Sequence, residues 1–600
     1  MKKTRFWGLL PILGLYMAFV QPALVQSAPA GKTSLCIFQL CFQYLSAQKE
    51  PLAYNLNMVH HNPGEPPFNT KYNNPFYLKK EGFNGQIPRI FLPCAITYKN
   101  FDADIMPEGS ALREEAEAYA LKIDTLLSEA EEAGIPVYPF TDLLVIPKSI
   151  QAKYGKEMRR MENEEAGATL GGTRLQASIL LPRTEEMLRA QIRELFERFP
   201  GLGGLTTRFG ETYLHEFPEY TGGSPALSRQ EQIRLINILR DEVCVKRNKK
   251  LFYRTWDFGY NFHTNPVYYL EVTDAVETHP NLFFSIKNTQ GDYIRLYPFN
   301  PCLGTGKHPQ IVEVSCNYGG LYGKNAHPFY LGQGVIDGWE EYAWIKSVGP
   351  AQSLRDLLKC PQFAGVWTWA RGDGWKGPYL TNEMWVDLNE QVFSRFAREP
   401  WHSEKGLFDE AVRRVFGIDG ENSEKMRRLC LLSADAVLRG HLSRHVSVDV
   451  WWCRDEYLTA IDLKGAVGAG RQKEVREEKD EAVGMWKEME KLSREIRLPD
   501  RAQQEYLEVS VTYGRIKCEI IRQIWFMQLL AAESEVNGIP LQRDAMKQSI
   551  AEYDRLWEEW RALKAAHSCC PTLYTDTKAQ YIETPPFRKV LDIYRKTINE

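Results

Sequence analysis

Charged and aromatic side chains gather at a few points along this 600-residue sequence, each just beyond a short β-branched or aromatic run. The first is His60-His61-Asn62, and the second is Arg208-Phe209-Gly210-Glu211-Thr212-Tyr213. Arg254-Thr255-Trp256-Asp257 follows, then Lys287-Asn288 with Asp292 a short gap later. Glu313 sits inside Ile311–Val314, and Trp367, Trp369, Arg371 and Trp375 close the series. Hydrolysis of a glycosidic bond needs two carboxyl groups across it, one protonated as acid, the other a base or nucleophile. Glu211, Asp292 and Glu313 are the candidates. A separation of about 5 Å would retain the anomeric configuration and about 6.5–9.5 Å would invert it. Arg208, Arg254, Lys287, Asn288, His60 and Arg371 offer polar and cationic contacts, while Trp256, Trp369 and Trp375 offer ring faces for a sugar. A lone Glu at a strand end is more often a solvated or ion-paired rim residue. On that reading Arg254 and Lys287 are its partners, and Trp367 and Trp369 are packing. The recurrence of acids, bases and aromatics at successive strand ends argues for a site. His60 and His61 are adjacent and would face opposite ways on a strand, so they do not form a metal site. No metal or organic cofactor is implied.

Those points need a frame that brings strand ends together. Eight runs supply it: Tyr54–His60, Gly82–Ile87, Pro136–Leu144, Gly204–Phe209, Lys250–Phe258, Leu282–Asn288, Ile311–Cys316 and Phe363–Ala370. They alternate with helical stretches, the pattern of a (β/α)8 barrel over residues 53–400, in which function concentrates where strands end. Ala111–Glu132 reads as a helix stopped by Gly134 at C′. Thr184 reads as the cap of a helix running to Phe199, and Ser228 with Glu231 as a capping box. The links His61–Pro75 and Thr289–Pro309 are long and rich in Pro and Gly, as active-site loops often are. After residue 400 the β signals vanish. Arg471–Arg494, Arg501–Glu533 and Arg543–Ala566 are charged amphipathic helices, so 401–600 reads as a mostly α-helical C-terminal domain. Lys473–Glu481, charged at every position but Val475, reads as a solvated helix face. There is no internal repeat.

Composition narrows the function classes. The length calls for two or three domains. A hydrophobic content of 44% and a mean hydropathy of −0.39 describe a water-soluble globular chain. A net charge of −3 leaves no footprint for nucleic acid or an anionic membrane. Aromatics reach 12%, with 15 Trp and 29 Tyr, which suits sugar stacking as well as a large core. Lys2, Lys3 and Arg5, the apolar run Phe6–Val20 and Ala28-Pro29-Ala30 read as an export signal over residues 1–30. The apolar run is short for a membrane span. Residues 31–52 form an N-terminal segment, and the mature protein is expected to be secreted or periplasmic. The twelve cysteines show no CxxC and no zinc spacing. Cys244, Cys316 and Cys518 fall in apolar patterns suited to buried free thiols.

The order of motifs over residues 190–400 resembles family 67 of the glycoside hydrolases, the α-glucuronidases, which release (4-O-methyl-)glucuronic acid from xylan fragments with inversion. Lys287-Asn288-x-x-x-Asp292, followed by Pro298-Phe299-x-Pro301, carries most of the resemblance. Gly210-Glu211 stands where that family has its general acid, and Asp292 matches a member of its base pair. Arg254 and Lys287 match its carboxylate-binding residues. Ala364-Gly365-Val366, Gly374-Trp375-x-Gly377 and Asn382-x-x-Trp385 are similar to its last-strand segment, and a C-terminal helical domain fits too. The family's second base falls on Gly319, leaving Asp292 alone, or helped by Glu313, or the chain without hydrolysis. Its lysine four places before the acid falls on Thr207, and strand alternation then turns Arg208 away from the pocket. Little chain precedes residue 53 for its N-terminal β domain. The resemblance implies an exo-acting, inverting uronidase on an oligosaccharide. A barrel hydrolase for a neutral sugar and a catalytically silent glycan-binding protein stay open beside it.

Overall fold

The computed structural model describes residues 50–60, 69–159, 168–170, 175–209, 211–214, 216–257, 261–291, 293–316, 326–343, 349–371, 380–446, 463–572 and 587–600. The side chains of residues 168–170, 211, 213, 342, 343 and 588 are outside that description. The export signal and most of the segment before residue 53 also lie outside the described residues.

Eight parallel strands form one sheet: β1 (Tyr54–Val59), β2 (Gly85–Pro88), β3 (Phe140–Asp142), β4 (Gly204–Arg208), β5 (Lys250–Arg254), β6 (Leu282–Lys287), β7 (Gln310–Ser315) and β8 (Phe363–Arg371). Their order around the sheet is β2-β1-β8-β7-β6-β5-β4-β3. Parallel bridges Gln86↔Val137 and Arg89↔Phe140 join β2 to β3 and close the barrel. Each expected run overlaps one of these strands. Large rings fill the lower half of the interior: Tyr54, Phe252 and Phe283 pack within 5.4 Å of one another, and Tyr138 lies 5.1 Å from Phe252. Glycine makes room where strands meet. A Cβ at Gly365 would stand 2.2 Å from the Tyr54 carbonyl oxygen, and one at Gly204 would stand 1.9 Å from that of Lys250.

The helices between strands are α1 (Pro75–Lys80), α2 (Ala111–Ala133), α3 (Lys148–Met158), α4 (Pro182–Arg198), α5 (Arg229–Leu239), α6 (Pro266–Thr273), α7 (Gly332–Asp337) and α8 (Leu354–Leu357). α9 (Met384–Arg398) follows β8. Gly134 ends α2 in the left-handed conformation, and Ser228 with Glu231 caps α5 as the spacing implies. Thr184 is a correction: α4 opens at Pro182 behind Leu181, with no side-chain cap, and Thr184 is buried in its first turn. Proline at the first helical position loses no hydrogen bond and has the right φ, so it sets the start. Between β6 and β7 the described residues contain no helix; the chain there is an arch from Asn288 to Pro309.

α9 packs across β1 and β8. Its Glu390, fully buried, accepts from Thr368 Oγ1 at 2.6 Å and Asn57 Nδ2 at 2.9 Å. Burial pushes that carboxyl up to about 8. Asp387, one turn earlier, is pushed up to about 6 by burial although Lys71 Nζ stands 2.5 Å away.

The remaining helices are α10 (Glu404–Phe416), α11 (Gly420–His441), α12 (Leu463–Gly468), α13 (Gln472–Glu495), α14 (Arg501–Asn537), α15 (Arg543–Ala566) and α16 (Phe587–Asn599). The charged run is a second correction, because Glu478 and Lys479 on α13 are buried. The Lys479 ammonium donates to the carbonyls of Arg439, at 2.5 Å, and Leu442, closing the C-terminal end of α11. It lies 4.0 Å above the Trp525 ring, and burial pushes it down to about 8. Helix C-termini attract cations, which is why a lysine tolerates this interior. The nine described cysteines carry thiols, with Cys244, Cys316 and Cys518 buried. No described helix is long and apolar enough to cross a membrane.

Candidate active site

Alternation along the strands decides which side chains share the barrel interior. Phe252, Phe283, Ile311 and Trp367 belong to the buried cluster inside it. The same parity carried two residues on puts Arg254, Ser285, Glu313 and Trp369 on the inner face near the strand ends. Thr206 is register-paired with Phe252, so Arg208 also faces inward and Thr207 outward. This reverses the orientation expected from the resemblance.

Two ion pairs occupy this level. Arg254 donates from Nε to Glu313 Oε1 at 2.8 Å and from Nη2 to Oε2 at 2.6 Å. Ser285 Oγ adds a donor to Oε1 at 2.9 Å, and the Tyr293 hydroxyl one to Oε2 at 3.0 Å. Trp367 Nε1 in turn donates to Ser285 Oγ at 2.7 Å. Four donors fill the lone-pair sites of Glu313, and the residue is wholly buried, so it anchors Arg254 and has no site left with which to activate a water. Arg208 makes the matching pair with Asp142, Nε to Oδ1 at 2.5 Å and Nη2 to Oδ2 at 2.8 Å. The two guanidinium carbons lie 5.1 and 4.8 Å from the centre of the Phe140 ring. Both forks are thus held by carboxylates of the protein, where the sequence pointed to a substrate carboxylate. The sequence reading missed Asp142, Ser285 and Tyr293. Asp142 had a signal, as the charged residue closing the third run.

Lys287 ends β6. Its ammonium lies 3.3 Å from the centre of the Trp256 ring and 5.0 Å from that of Tyr293, inside the mouth and almost fully buried. Asn288 follows, buried, its amide bonded to the Glu313 carbonyl at 3.1 Å. His60 packs edge-on against Phe140 and Trp369, with ring centres 5.2 and 5.3 Å away. Tyr293 reaches Trp369 at 6.1 Å and so joins the two groups. Arg371 turns instead to Glu383, at 2.9 Å. Trp385, from the last-strand motif, donates to Ser510 of α14 at 3.1 Å and is part of the packing against the C-terminal helices. Asp257, at the end of β5, accepts the amides of Asn261 and Phe262 at 2.9 and 2.7 Å; burial raises its carboxyl and those amides oppose the rise.

The backbone of Glu211 opens a short strand, Glu211–Tyr213, paired in parallel with Ala168–Leu170 just past the end of β4. Asp292, Gly319 and Trp375 lie outside the described residues, though both neighbours of Asp292 are within them. Among the described residues, Glu399, His402 and Glu410 form a group able to hold a metal ion, on α10 and the link that joins it to α9. Arg395 already pairs with Glu410 there, and the group is not at the barrel mouth.

The known proteins that compare with this chain do so by fold. No protein family's sequence pattern matches it, and no curated protein matches it in sequence. A solved enzyme of glycoside hydrolase family 138, described as targeting pectin rhamnogalacturonan II, superposes with a TM-score of 0.56 at 10% identity, over 92% of this chain and 67% of its own. A family 84 structure gives 0.41 at 10% identity, over 92% and 77%. A variant of the Thermobaculum terrenum O-GlcNAc hydrolase gives 0.39 at 10% identity, over 90% and 93%. The likeness to the family 138 enzyme extends over the barrel and the helices after it. It supports a barrel of the kind glycoside hydrolases use, without singling out family 67.

Proposed function

We propose that this protein is an exported glycoside hydrolase that removes a terminal uronic acid from an oligosaccharide by an inverting, exo-acting route. The observation that carries this reading is the Lys287 ammonium, buried in the mouth between Trp256 and Tyr293. A cation bedded on rings suits a ligand that brings a carboxylate and an apolar sugar face together. Arg208 and Arg254 stand on the same inner face, paired with Asp142 and Glu313. A cation placed near a uronate offsets part of the desolvation of its charge. The family 138 enzyme, described as targeting pectin rhamnogalacturonan II, shares the fold.

In this reading Glu211 protonates the leaving oxygen, and Asp292 draws a proton from the attacking water on the opposite face of the sugar ring. The water's oxygen forms the new bond to the anomeric carbon as the glycosidic bond breaks. Glu313 serves as the anchor of Arg254. The N-terminal basic and apolar segments support export.

The test is a panel of uronic-acid-capped oligosaccharides, with the first-formed anomer followed by NMR. Release of the uronic acid as the inverted anomer is expected. Glu211→Gln should lower turnover by about 10³-fold or more with affinity largely kept, since it removes the proton donor and little else. Near-normal turnover in that variant would sink the acid assignment, and binding without any product would favour a silent glycan-binding protein.

A further inference from the structure

The arch between β6 and β7 is held at both feet. Gln290 N–H donates to the Pro298 carbonyl at 3.1 Å, and Asn300 N–H to that of Asn288 at 3.0 Å. Behind the feet stands His263, fully buried. Asn300 Oδ1 accepts the Cys302 amide at 3.0 Å, which turns its Nδ2 toward His263 Nε2 at 3.1 Å. The other ring nitrogen lies 2.8 Å from Thr255 Oγ1, just past β5. These bonds fix the base of the arch; in its crown Arg295 pairs with Glu341 and Asp435, and Ile294 N–H donates to the Gly291 carbonyl.

The crown carries Tyr293, with φ of 67°, a left-handed backbone that a bulky side chain rarely adopts. Such a conformation persists only where the surroundings over-determine it. Here they do. The hydroxyl donates to Glu313 on β7, the ring faces the Lys287 ammonium on β6, and its edge meets Trp369 on β8. Tyr293 is also only partly buried, unlike the three residues it touches. One side chain thereby links three strand ends and reaches the surface of the mouth.

We propose that Tyr293 is a positioning residue of the acid-sugar site. Its phenol, held by Glu313, sets the direction of the Lys287 ammonium. This rests on the uronidase reading and adds to it the device that aligns the cation. Two variants separate hydroxyl from ring. Tyr293→Phe keeps the ring contacts and loses the bond to Glu313. Tyr293→Asn suits the left-handed backbone but loses both.

The measurements are kcat and KM on an aryl uronide, and amide hydrogen exchange across residues 289–300. In Tyr293→Phe, kcat/KM on the acidic substrate should fall about tenfold or more, because a small misplacement of a group that orients the substrate is costly. Exchange across the arch should quicken in the same variant. In Tyr293→Asn, KM should rise as well, and only for acidic substrates. Wild-type kcat/KM together with wild-type exchange in Tyr293→Phe overturns the proposal. If the wild-type protein neither binds nor cleaves any uronide, the uronidase reading falls by itself. Exchange in Tyr293→Phe then decides alone whether Tyr293 holds the arch.

Discussion

Arg254 and Arg208 each commit a planar fork to a carboxylate of the protein, in an interior nearly closed to water. Burying a charge is costly, and the cost returns in full when a partner is removed. Glu313→Ala should therefore destabilise the fold by about 3–5 kcal/mol, read from urea unfolding, because it strands Arg254. A loss below about 1 kcal/mol would show that Arg254 does not depend on the pair. The sequence revealed these residues but not their pairing. Strand ends and alternation point to Arg254, Lys287 and Glu313 as mouth residues. That Arg208 meets Asp142, 66 residues away, depends on which strands lie side by side. A one-residue offset in the resemblance also turned Arg208 outward, since a single step on a strand exchanges faces.

At the scale of elements, the eight runs were legible because buried parallel strands are short, β-branched and evenly interrupted. Their limits were less so. The run Pro136–Leu144 narrows to Phe140–Asp142, since prolines at 136 and 139 offer no amide to the ladder. Lys250–Phe258 ends at Arg254, where the chain leaves the sheet for the loop that Asp257 braces. Thr184 was misread because a proline two places earlier starts a helix as well as a hydroxyl does. The tight approach of β8 to β1 at Gly365 left no trace in periodicity. Gly365→Ala would press a methyl on the Tyr54 carbonyl, a backbone atom that cannot swing aside. It should lower stability by about 1–3 kcal/mol in a thermal melt, and an unchanged melting temperature would refute so close a contact.

In the whole molecule, charges lie where a surface reading would not put them. Lys479 looked solvated because its neighbours in sequence are charged, yet α13 packs between α11 and α14 and draws it inside. Arg295 reaches from the arch to Glu341 at 2.7 Å and to Asp435 of α11 at 2.9 Å, tying the barrel mouth to the C-terminal helices. Glu390 governs a pH dependence. Its folded value, about 8, lies above the ordinary 4.5, so its contribution to stability is complete below about 4.5 and is lost as pH rises toward 8. Asp387 acts in the same sense over a lower window ending near 6. Glu390→Gln mimics the protonated form and should gain on the wild type by a few kcal/mol, on the order of 3, between pH 4.5 and 8 in urea unfolding. Parallel stability curves for the two proteins across that range would contradict it. The aromatic floor of the barrel has a consequence for traffic. With Tyr54, Tyr138, Phe252 and Phe283 stacked below the site, the interior is a cup with one opening. A polymer cannot thread through it, and whatever enters chain-end first must back out the same way. If the proposed exo-acting hydrolysis takes place there, a freed sugar leaves by the path that the next chain needs.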